Sequence, residues 1–312
     1  EINNRLYLLS DTVIINKNLF IPKNKKVIIK AGQKIFLNDG AFILSHSPWF
    51  AEGSKKEKIF IGGNLNNYGG GLIITDTKEK SFFNNINFLY LSGLTKSYLK
   101  VPNHGHIIFG SINFHQTKID LKNITFQQIK SEDAINIINS EFSIKNVTFI
   151  KNLYDSIDLD FSNGTINNVS FKNIGNDAID FSGSKVNVKN IKFDTVNDKL
   201  MSVGENSKVN INNITGKNSY IGIATKDGSE VNANNISMEG VKLPFASYNK
   251  KFEYKRARMY LNNININDFH HKWIVDKNSK IFLNDSPVGQ VSKDILEVIY
   301  QKDLDLLNKS IN

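Results

Sequence analysis

An asparagine returns at a nearly constant interval through the middle of this 312-residue sequence. Each one is followed by Ile or Val, and then usually by a polar residue and Phe, as in Asn146-Val147-Thr148-Phe149. A period of this length, built from short strand-like segments, is typical of a solenoid with one coil per repeat. Successive intervals are 22 or 23 residues, and the repeat consists of Asn123, Asn146, Asn168, Asn190, Asn213 and Asn235.

Each repeat contains three short segments in which apolar and polar residues alternate. One follows the asparagine, a second resembles Ile157-Asp158-Leu159-Asp160-Phe161, and a third resembles Val186-Asn187-Val188. Alternation of this kind predicts half-buried strands. Three strands per coil, each paired with its equivalent one coil away, predict an all-β, single-stranded parallel β-helix with about 22 residues per coil.

The repeated asparagine has a physical role at a corner of the coil. Its side chain carries both a donor and an acceptor, so amides of successive coils can form a hydrogen-bonded ladder. Asn also tolerates the left-handed backbone that a corner requires. We therefore interpret the recurring glycosylation pattern, as in Asn123-Ile124-Thr125, as part of this ladder.

The predicted domain boundaries lie where the spacing of the repeat departs from about 22 residues. Near the C-terminus, Ile295, Leu296, Ile299, Leu304 and Leu307 recur at helical spacing, which predicts an amphipathic helix that caps the open end. We predict a β-helix over 1–288, with irregular coils over 1–80, regular coils over 81–288, insertions near 98–109 and 243–258, and a C-terminal capping helix within 289–312.

The repeat, the asparagine ladder and the opening Ile21-Pro22…Ala31-Gly32-Gln33-Lys34-Ile35 resemble the pectin-lyase-like superfamily over roughly 19–287. This resemblance implies a right-handed parallel β-helix. Members include polysaccharide lyases, polygalacturonase-type hydrolases, C5-epimerases, phage tailspikes and adhesins. The chain lacks the Asn-Thr-Asp motif of polygalacturonases and the Arg-x-Pro-x-x-Arg pattern of pectate lyases, so the resemblance indicates the fold rather than one activity.

The composition narrows the classes of site and partner. The absence of cysteine excludes disulfides, thiolate metal sites and a cysteine nucleophile. No apolar run is long enough to span a membrane. The formal charge of +9 suits an anionic polymer as partner. The alternative, which explains the charge equally well, is a Lys- and Asn-rich composition that reflects only an AT-rich genome. We expect an acidic polysaccharide as partner, no nucleic acid, an extracellular, periplasmic or bacterial cell-surface location, and an upstream domain before Glu1.

Aspartates form an acidic grid on the predicted second strands. Asp133, Asp155, Asp177 and Asp198 come just before these strands, and Asp158, Asp160 and Asp180 point outward on them. Crowded carboxylates repel one another unless a cation lies among them or they serve as acid and base. The alternative is that Asp favours turns and is solvated. The predicted catalytic carboxylates are Asp155, Asp158, Asp177, Asp180 and Asp198, with Asp158 and Asp180 as candidate Ca²⁺ ligands and no organic cofactor.

Charged residues in the next two coils extend this candidate site to Lys199, Glu205 and Lys226. Lys226 follows Glu205 by 21 residues, close to one coil. A lysine beside a Ca²⁺-bound uronate is a plausible β-elimination base, because neighbouring positive charge lowers its pKa. The alternative is an exposed ion pair between Lys226 and Glu205.

The segment before Asn263 interleaves aromatic and cationic residues, which suits sugar stacking and anionic groups. The predicted substrate-binding residues are Tyr248, Lys250, Tyr254, Arg256 and Arg258. These observations favour an enzyme acting on an acidic polysaccharide as a lyase, C5-epimerase or hydrolase. The alternative is a non-catalytic carbohydrate-binding, adhesin or structural module of a larger surface protein.

Overall fold

The structure, a computed structural model, describes residues 4–8, 10–94, 108, 110–293, 295–302 and 304. It divides the chain into two compact units, 1–165 and 166–312.

Unit 1 is built from short strands that recur in sets of three. They are β1 (Arg5–Tyr7), β2 (Thr12–Ile15), β3 (Leu19–Ile21), β4 (Lys26–Lys30), β5 (Lys34–Leu37), β6 (Phe42–Ser45), β7 (Trp49–Glu52), β8 (Ile59–Gly62), β9 (Gly71–Thr75), β10 (Ser81–Leu89), β11 (Gly110–His115), β12 (Lys118–Gln127), β13 (Asp133–Ile138), β14 (Glu141–Ile150) and β15 (Asp155–Asp160).

Every strand of unit 1 pairs in parallel with its equivalent in the next coil. One ladder runs β1–β4–β7–β10, a second β2–β5–β8–β10, and a third β3–β6–β9–β11–β13–β15. The first two continue through β12 and β14, because each of these strands turns the corner without interruption. Three parallel ladders per coil confirm the predicted β-helix.

Unit 2 continues with longer strands that pass through several corners. The strand β16 (Asn163–Ile174) begins just before it, and the others are β17 (Ile179–Ser182), β18 (Lys185–Gly204), β19 (Lys208–Lys226), β20 (Glu230–Tyr248), β21 (Arg258–Asn267), β22 (Trp273–Val275), β23 (Lys280–Leu283), β24 (Ser286–Val288) and β25 (Gln290–Val291), followed by the helix α1 (Ile295–Tyr300). The ladder β17–β18–β19–β20–β22–β25 is parallel, whereas β24 pairs antiparallel with β23.

The core of each unit is a stack of inward-facing apolar side chains. In unit 1 the rings of Phe88, Phe126 and Phe149 stack with centroids 5.0 and 4.8 Å apart. In unit 2 the rings of Phe171 and Phe193 are 5.0 Å apart. Each phenylalanine therefore fills the space directly above its counterpart, which explains why the repeat keeps Phe at this position.

The asparagine ladder forms, but not every bond joins two repeat asparagines: Asn190 and Asn235 donate to Asn167 and Asn212, the residues just before Asn168 and Asn213. Asn146 donates to Asn123 over 3.0 Å, and Asn213 donates to Asn190 over 3.0 Å. All the repeat asparagines have a left-handed backbone, with φ between 55° and 60°. Their amides are engaged along the stack, which agrees with a structural role for the repeated pattern.

Two expectations about irregular segments change. Residues 243–248 belong to β20, because Leu243 and Phe245 continue the inward alternation through Pro244, and the loop spans only 249–257. The predicted insertion near 98–109 lies almost entirely outside the described residues. No helix among the described residues is long and apolar enough to cross a membrane.

The C-terminal helix is confirmed, but it is short and lies in a different place. Its buried residues Ile295, Val298 and Ile299 pack with residues of β19, β20 and β22, including outward-facing Ala224 and Ala246. The helix therefore lies against the outer face of three successive coils. Leu296 is exposed, and Leu307 is outside the described residues.

Candidate functional site

The aspartates of unit 1 lie along the ladder β11–β13–β15. Asp133 and Asp155 begin β13 and β15 and are paired in register. Asp158 and Asp160 point outward, and the Asn136 amide nitrogen donates to both, over 2.8 and 3.4 Å. The structure thus brings two carboxylates of the predicted grid around one amide.

In unit 2 a buried lysine joins two predicted carboxylates. The Lys199 ammonium donates to Asp177 over 3.3 Å and to Asp198 over 2.6 Å, and the Lys199 backbone N–H also donates to Asp177. The Lys199 and Asp177 side chains are only 6% and 7% exposed. Burial lowers the pKa of Lys199, but the two carboxylates outweigh burial and raise it, so Lys199 is protonated at neutral pH.

Lys226 lies beside this group on the outward face of β19. Its side chain runs across Gly204, where an added Cβ would lie 3.3 Å from the Lys226 Cε atom. Burial lowers the pKa of Lys226, yet Asp180 and Asp177 attract its charge and raise the pKa overall. The prediction of a lowered pKa is therefore wrong, because the nearest charges are carboxylates. We call Asp177, Asp180, Asp198, Lys199 and Lys226 the lysine–aspartate cluster.

Asp180 occupies an outward position on β17, in register with Ser202 on β18. It is partly exposed, and its carboxylate accepts a hydrogen bond from the Phe181 backbone N–H over 2.9 Å. Asp180 is thus the more accessible of the two carboxylates that act on Lys226.

Glu205 has a different partner from the one considered in the sequence. It pairs with Lys251, and this hydrogen bond is the main reason that the pKa of Lys251 is raised. Glu205 lies in a turn with a left-handed backbone, φ 58°, which ends the alternation of β18. The turn directs its side chain toward the loop of residues 249–257, so the Lys226–Glu205 pair does not form.

That loop lines an open cleft of about 1140 Å³, which we call the basic cleft. Its cations are Lys250, Lys255, Arg256, Arg258, Lys277 and Lys293. The carboxylate lining it, Asp276, already accepts backbone N–H groups of Asn249 and Asn278 over 2.7 and 2.8 Å. Phe252, almost fully exposed, and Tyr254 complete the lining. Most of the positive charge is therefore available to a ligand.

Comparison with known proteins agrees with this architecture. Residues 97–220 match the family model described as pectate lyase. The periplasmic alginate epimerase AlgG is similar in structure, with a TM-score of 0.52, 12% identity, and coverage of 89% of this chain and 82% of that chain. This chain has the right-handed parallel β-helix fold of the pectin-lyase-like superfamily.

Two further structures match at lower TM-scores. The Dettilon tailspike protein gives a TM-score of 0.49 with 12% identity, over 89% of this chain and 56% of that chain. The catalytic domain of an α-1,3-glucanase in complex with nigerose gives a TM-score of 0.39 with 13% identity, over 91% of this chain and 68% of that chain. No curated protein sequence matches.

Of the predicted substrate-binding residues of this pectin-lyase-like β-helix, four line the basic cleft. They are Lys250, Tyr254, Arg256 and Arg258. Tyr248 does not, because it is an outward residue of β20 that is fully buried in the cluster with α1. Burial, followed by the neighbouring Tyr300, raises its pKa. Tyr248 is therefore part of the packing between the β-helix and α1.

Two residues of the C-terminal part were missed in the sequence: Lys302 reaches the lysine–aspartate cluster, and Tyr300 reaches a cation of the basic cleft. The Lys302 ammonium donates to the Asn197 carbonyl over 3.2 Å and lies 3.7 Å from Asp198. The Tyr300 ring lies 4.9 Å from the Lys250 ammonium, measured to the ring centroid. No local pattern predicts these contacts, because more than 100 residues separate Lys302 from Asn197.

Proposed function

We propose that this chain binds an acidic polysaccharide in the basic cleft and acts on it at the lysine–aspartate cluster. The observation that carries the proposal is the cleft itself, with six cations and one carboxylate that backbone donors already occupy. Polyanions are attracted to such a surface. Phe252 and Tyr254 add aromatic faces for sugar rings. The match to a pectate lyase model supports a polysaccharide as the anionic ligand.

The protonation of the lysines favours lyase or C5-epimerase chemistry over hydrolysis. A protonated Lys226 can stabilise the charge that grows on a uronate when its C5 proton leaves. Inverting and retaining hydrolysis both need two carboxyl groups free for acid and nucleophile or base. In unit 2, both Asp177 and Asp198 are bonded to Lys199.

In the proposed elimination, Asp180 removes the C5 proton. The electron pair of the C5–H bond forms the C4–C5 double bond, the C4–O bond breaks, and the departing oxygen takes a proton from Lys226. Return of a proton to C5 on the opposite face, without loss of the C4 oxygen, would instead give the epimer. Asp180 and Lys226 thus replace the sequence-based assignment of Lys226 as base.

A non-catalytic carbohydrate-binding module is the second candidate. The observation that favours it is the burial of Lys199 and Asp177, which is what a structural ion network requires. In that case the basic cleft alone binds the polysaccharide. Both candidates imply a location outside the cytoplasm, which the similarity to a periplasmic enzyme supports.

Ca²⁺ binding remains a proposal for the two candidate ligands, Asp158 of unit 1 and Asp180 of unit 2, each taken within its own unit. Both carboxylates are partly exposed, and Ca²⁺ binds carboxylate oxygens. A bound cation would neutralise substrate carboxylates next to the cluster. A rise in melting temperature on adding Ca²⁺ that EDTA reverses, and that Asp180→Asn removes, would support it.

Binding and turnover are tested together on a panel of polygalacturonate, alginate and neutral dextran. We expect both acidic polymers to bind at low salt and dextran not to bind. Arg256→Gln with Arg258→Gln should weaken binding at least about a hundredfold, because each of the two lost charge-assisted contacts costs about 1.5 kcal/mol or more. The matched control is Lys185→Gln with Lys208→Gln, which removes the same charge from exposed positions outside the cleft.

Turnover is followed by ultraviolet absorbance of unsaturated ends and by NMR of the C5 proton. Unsaturated ends that disappear in Lys226→Met would establish a lyase, and altered C5 configuration without cleavage would establish an epimerase. Binding without either product would leave the carbohydrate-binding module. Equal binding of dextran and acidic polymers would contradict the proposal.

A further inference from the structure

The lysine–aspartate cluster is covered where a ligand would have to enter. Lys199 and Asp177 are almost inaccessible, and Lys226 is half-buried although it lies on the outward face of β19. The outward residues beside it on β19 and β20, Ala224 and Ala246, are completely buried. An outward face is buried only when something lies on it.

The C-terminal segment, residues 295–302, lies on this face. Ile295, Val298 and Ile299 pack against Ala224, Ala246 and Tyr248, and the Tyr220 hydroxyl donates to the Val298 carbonyl over 3.2 Å. Lys302 then reaches the Asn197 carbonyl and Asp198. The segment therefore spans from the last coils to the edge of the cluster.

The segment is held by side chains rather than by the strand ladders. A helix of six residues is not stable in isolation, so α1 persists only through its packing. The ladder β18–β19–β20–β22 is completed by backbone hydrogen bonds that do not involve residues 295–302. The segment can therefore leave the face without breaking a coil.

A polar atom is enclosed on this face. Ser202 points outward between Asp180 and Ala224 in register, yet it is fully buried. Its Oγ atom has no hydrogen-bond partner among the described residues. A buried hydroxyl without a partner is unfavourable, and uncovering the face would relieve it.

The basic cleft and the segment share residues. Ile295 and Leu296 line the cleft, and Lys250 both lines it and lies over the Tyr300 ring. An anionic group that binds Lys250 competes with the cation–π contact to Tyr300. A ligand in the cleft thus acts directly on the contacts that hold the segment.

We propose that the C-terminal segment is a displaceable cover over the lysine–aspartate cluster, and that an acidic polysaccharide bound in the basic cleft displaces it. The ligand class rests on the proposed function. The movement itself is measured without turnover, so the two can fail separately.

The test uses thiol reactivity, because the chain contains no cysteine of its own. Ser202→Cys reports on the covered outward face. Ser247→Cys is the matched control, since Ser247 is equally buried and its Oγ is likewise without a partner among the described residues, but it points inward in register with Thr225. The cover is weakened by Tyr220→Phe and Lys302→Ala, which together remove the hydrogen bonds to the Val298 and Asn197 carbonyls and the ion pair with Asp198.

We expect the double change Tyr220→Phe with Lys302→Ala to accelerate labelling of Ser202→Cys by at least about tenfold, because two hydrogen bonds and one weak ion pair are lost. Polygalacturonate should accelerate it too, and dextran should not. Labelling of Ser247→Cys should stay slow throughout. If the double variant folds poorly, Tyr220→Phe alone, the mildest change, is used to compare the labelling rates of Ser202→Cys and Ser247→Cys.

Three results would overturn the proposal. Unchanged labelling of Ser202→Cys in the weakened variants would show that the segment does not open separately. Equal acceleration of Ser247→Cys would show global unfolding instead. If the variants accelerate labelling but a bound acidic polysaccharide does not, the ligand does not displace the cover. If no acidic polysaccharide binds, the proposed function fails while the variant comparison still decides whether the cover moves.

Discussion

The two units hold the carboxylates of the acidic grid in different ways. In unit 1, Asp158 and Asp160 accept hydrogen bonds from the amide of Asn136. In unit 2, Asp177 and Asp198 accept them from the ammonium group of Lys199. An amide supports a carboxylate and leaves its charge in place, whereas an ammonium group cancels it. Carboxylates on the strand therefore form an acidic surface in unit 1, whereas carboxylates just before the strand are largely neutralised by a lysine in unit 2.

Removing the ammonium group should have the largest effect on this comparison. Lys199→Met keeps the length of the side chain but leaves two carboxylates without their cation, one of them buried. We expect a loss of about 3 to 5 kcal/mol in the free energy of unfolding, measured by denaturant titration. Lys217→Met, which breaks the exposed pair with Glu239, is the control and should change stability little. A small effect of Lys199→Met would mean that solvent replaces the lysine.

Removing the amide in unit 1 should cost less. Asn136→Leu introduces a side chain of similar volume that cannot donate a hydrogen bond to Asp158. We expect the free energy of unfolding to fall by about 1.5 to 3 kcal/mol, the range for hydrogen bonds to charged groups. Asp158 is partly exposed, so water can replace part of this interaction. Denaturant titration of both variants, Asn136→Leu and Lys199→Met, shows which change lowers the free energy of unfolding more. A cost equal to that of the lysine would remove the distinction between the units.

Alkaline pH should destabilise the protein through the two lysines of unit 2. The pKa values of Lys199 and Lys226 are raised in the folded state above the ordinary value of 10.5. Their stabilisation is thus fully present below that pH and is lost as the pH rises through the folded values. We expect the melting temperature to fall above about pH 10.5, and to fall less in Lys199→Met. The same slope in both proteins would contradict the raised pKa of Lys199.

The smallest effect is expected at Gly204. Gly204→Ala places a Cβ 3.3 Å from the Lys226 Cε atom, and a flexible side chain can move away at a cost below about 1 kcal/mol. The change should displace Lys226 and lower turnover more than stability. Gly222→Ala is the contrasting variant, because its Cβ would lie 2.3 Å from the Pro244 carbonyl oxygen and backbone cannot yield. Equal losses of stability would show that Lys226 is held rigidly.

Much of the architecture is predictable because one period governs it. The spacing of Asn146 from Asn123 is enough to place the corner, its left-handed backbone and the amide ladder. The same period also predicts the ion pair between Lys199 and Asp177, which the sequence analysis missed. Lys199 follows Asp177 by 22 residues and lies directly above it. Counting one coil from each carboxylate would have found the ion pair.

The remaining contacts of the cluster depend on departures from the period. The pairing of β18 with β19 shifts in register between Val196 and Lys199. The turn at Glu205 directs that carboxylate to Lys251, 46 residues away, instead of Lys226. The C-terminal segment packs on the outward face of β19 and β20, and its position there depends only on tertiary contacts. Loops and termini follow no repeat, so their partners cannot be read from spacing.

The asparagine ladder limits how a chain of this kind can change in length. Duplication of one 22-residue coil would leave every ladder amide with a partner above and below. Insertion of a single residue within a strand would turn its inward side chains outward and offset the amides of all later coils. Lengthening is therefore tolerated in whole coils or at corners such as residues 249–257, and an insertion there enlarges the loop that lines the basic cleft while the stacked phenylalanines stay in place.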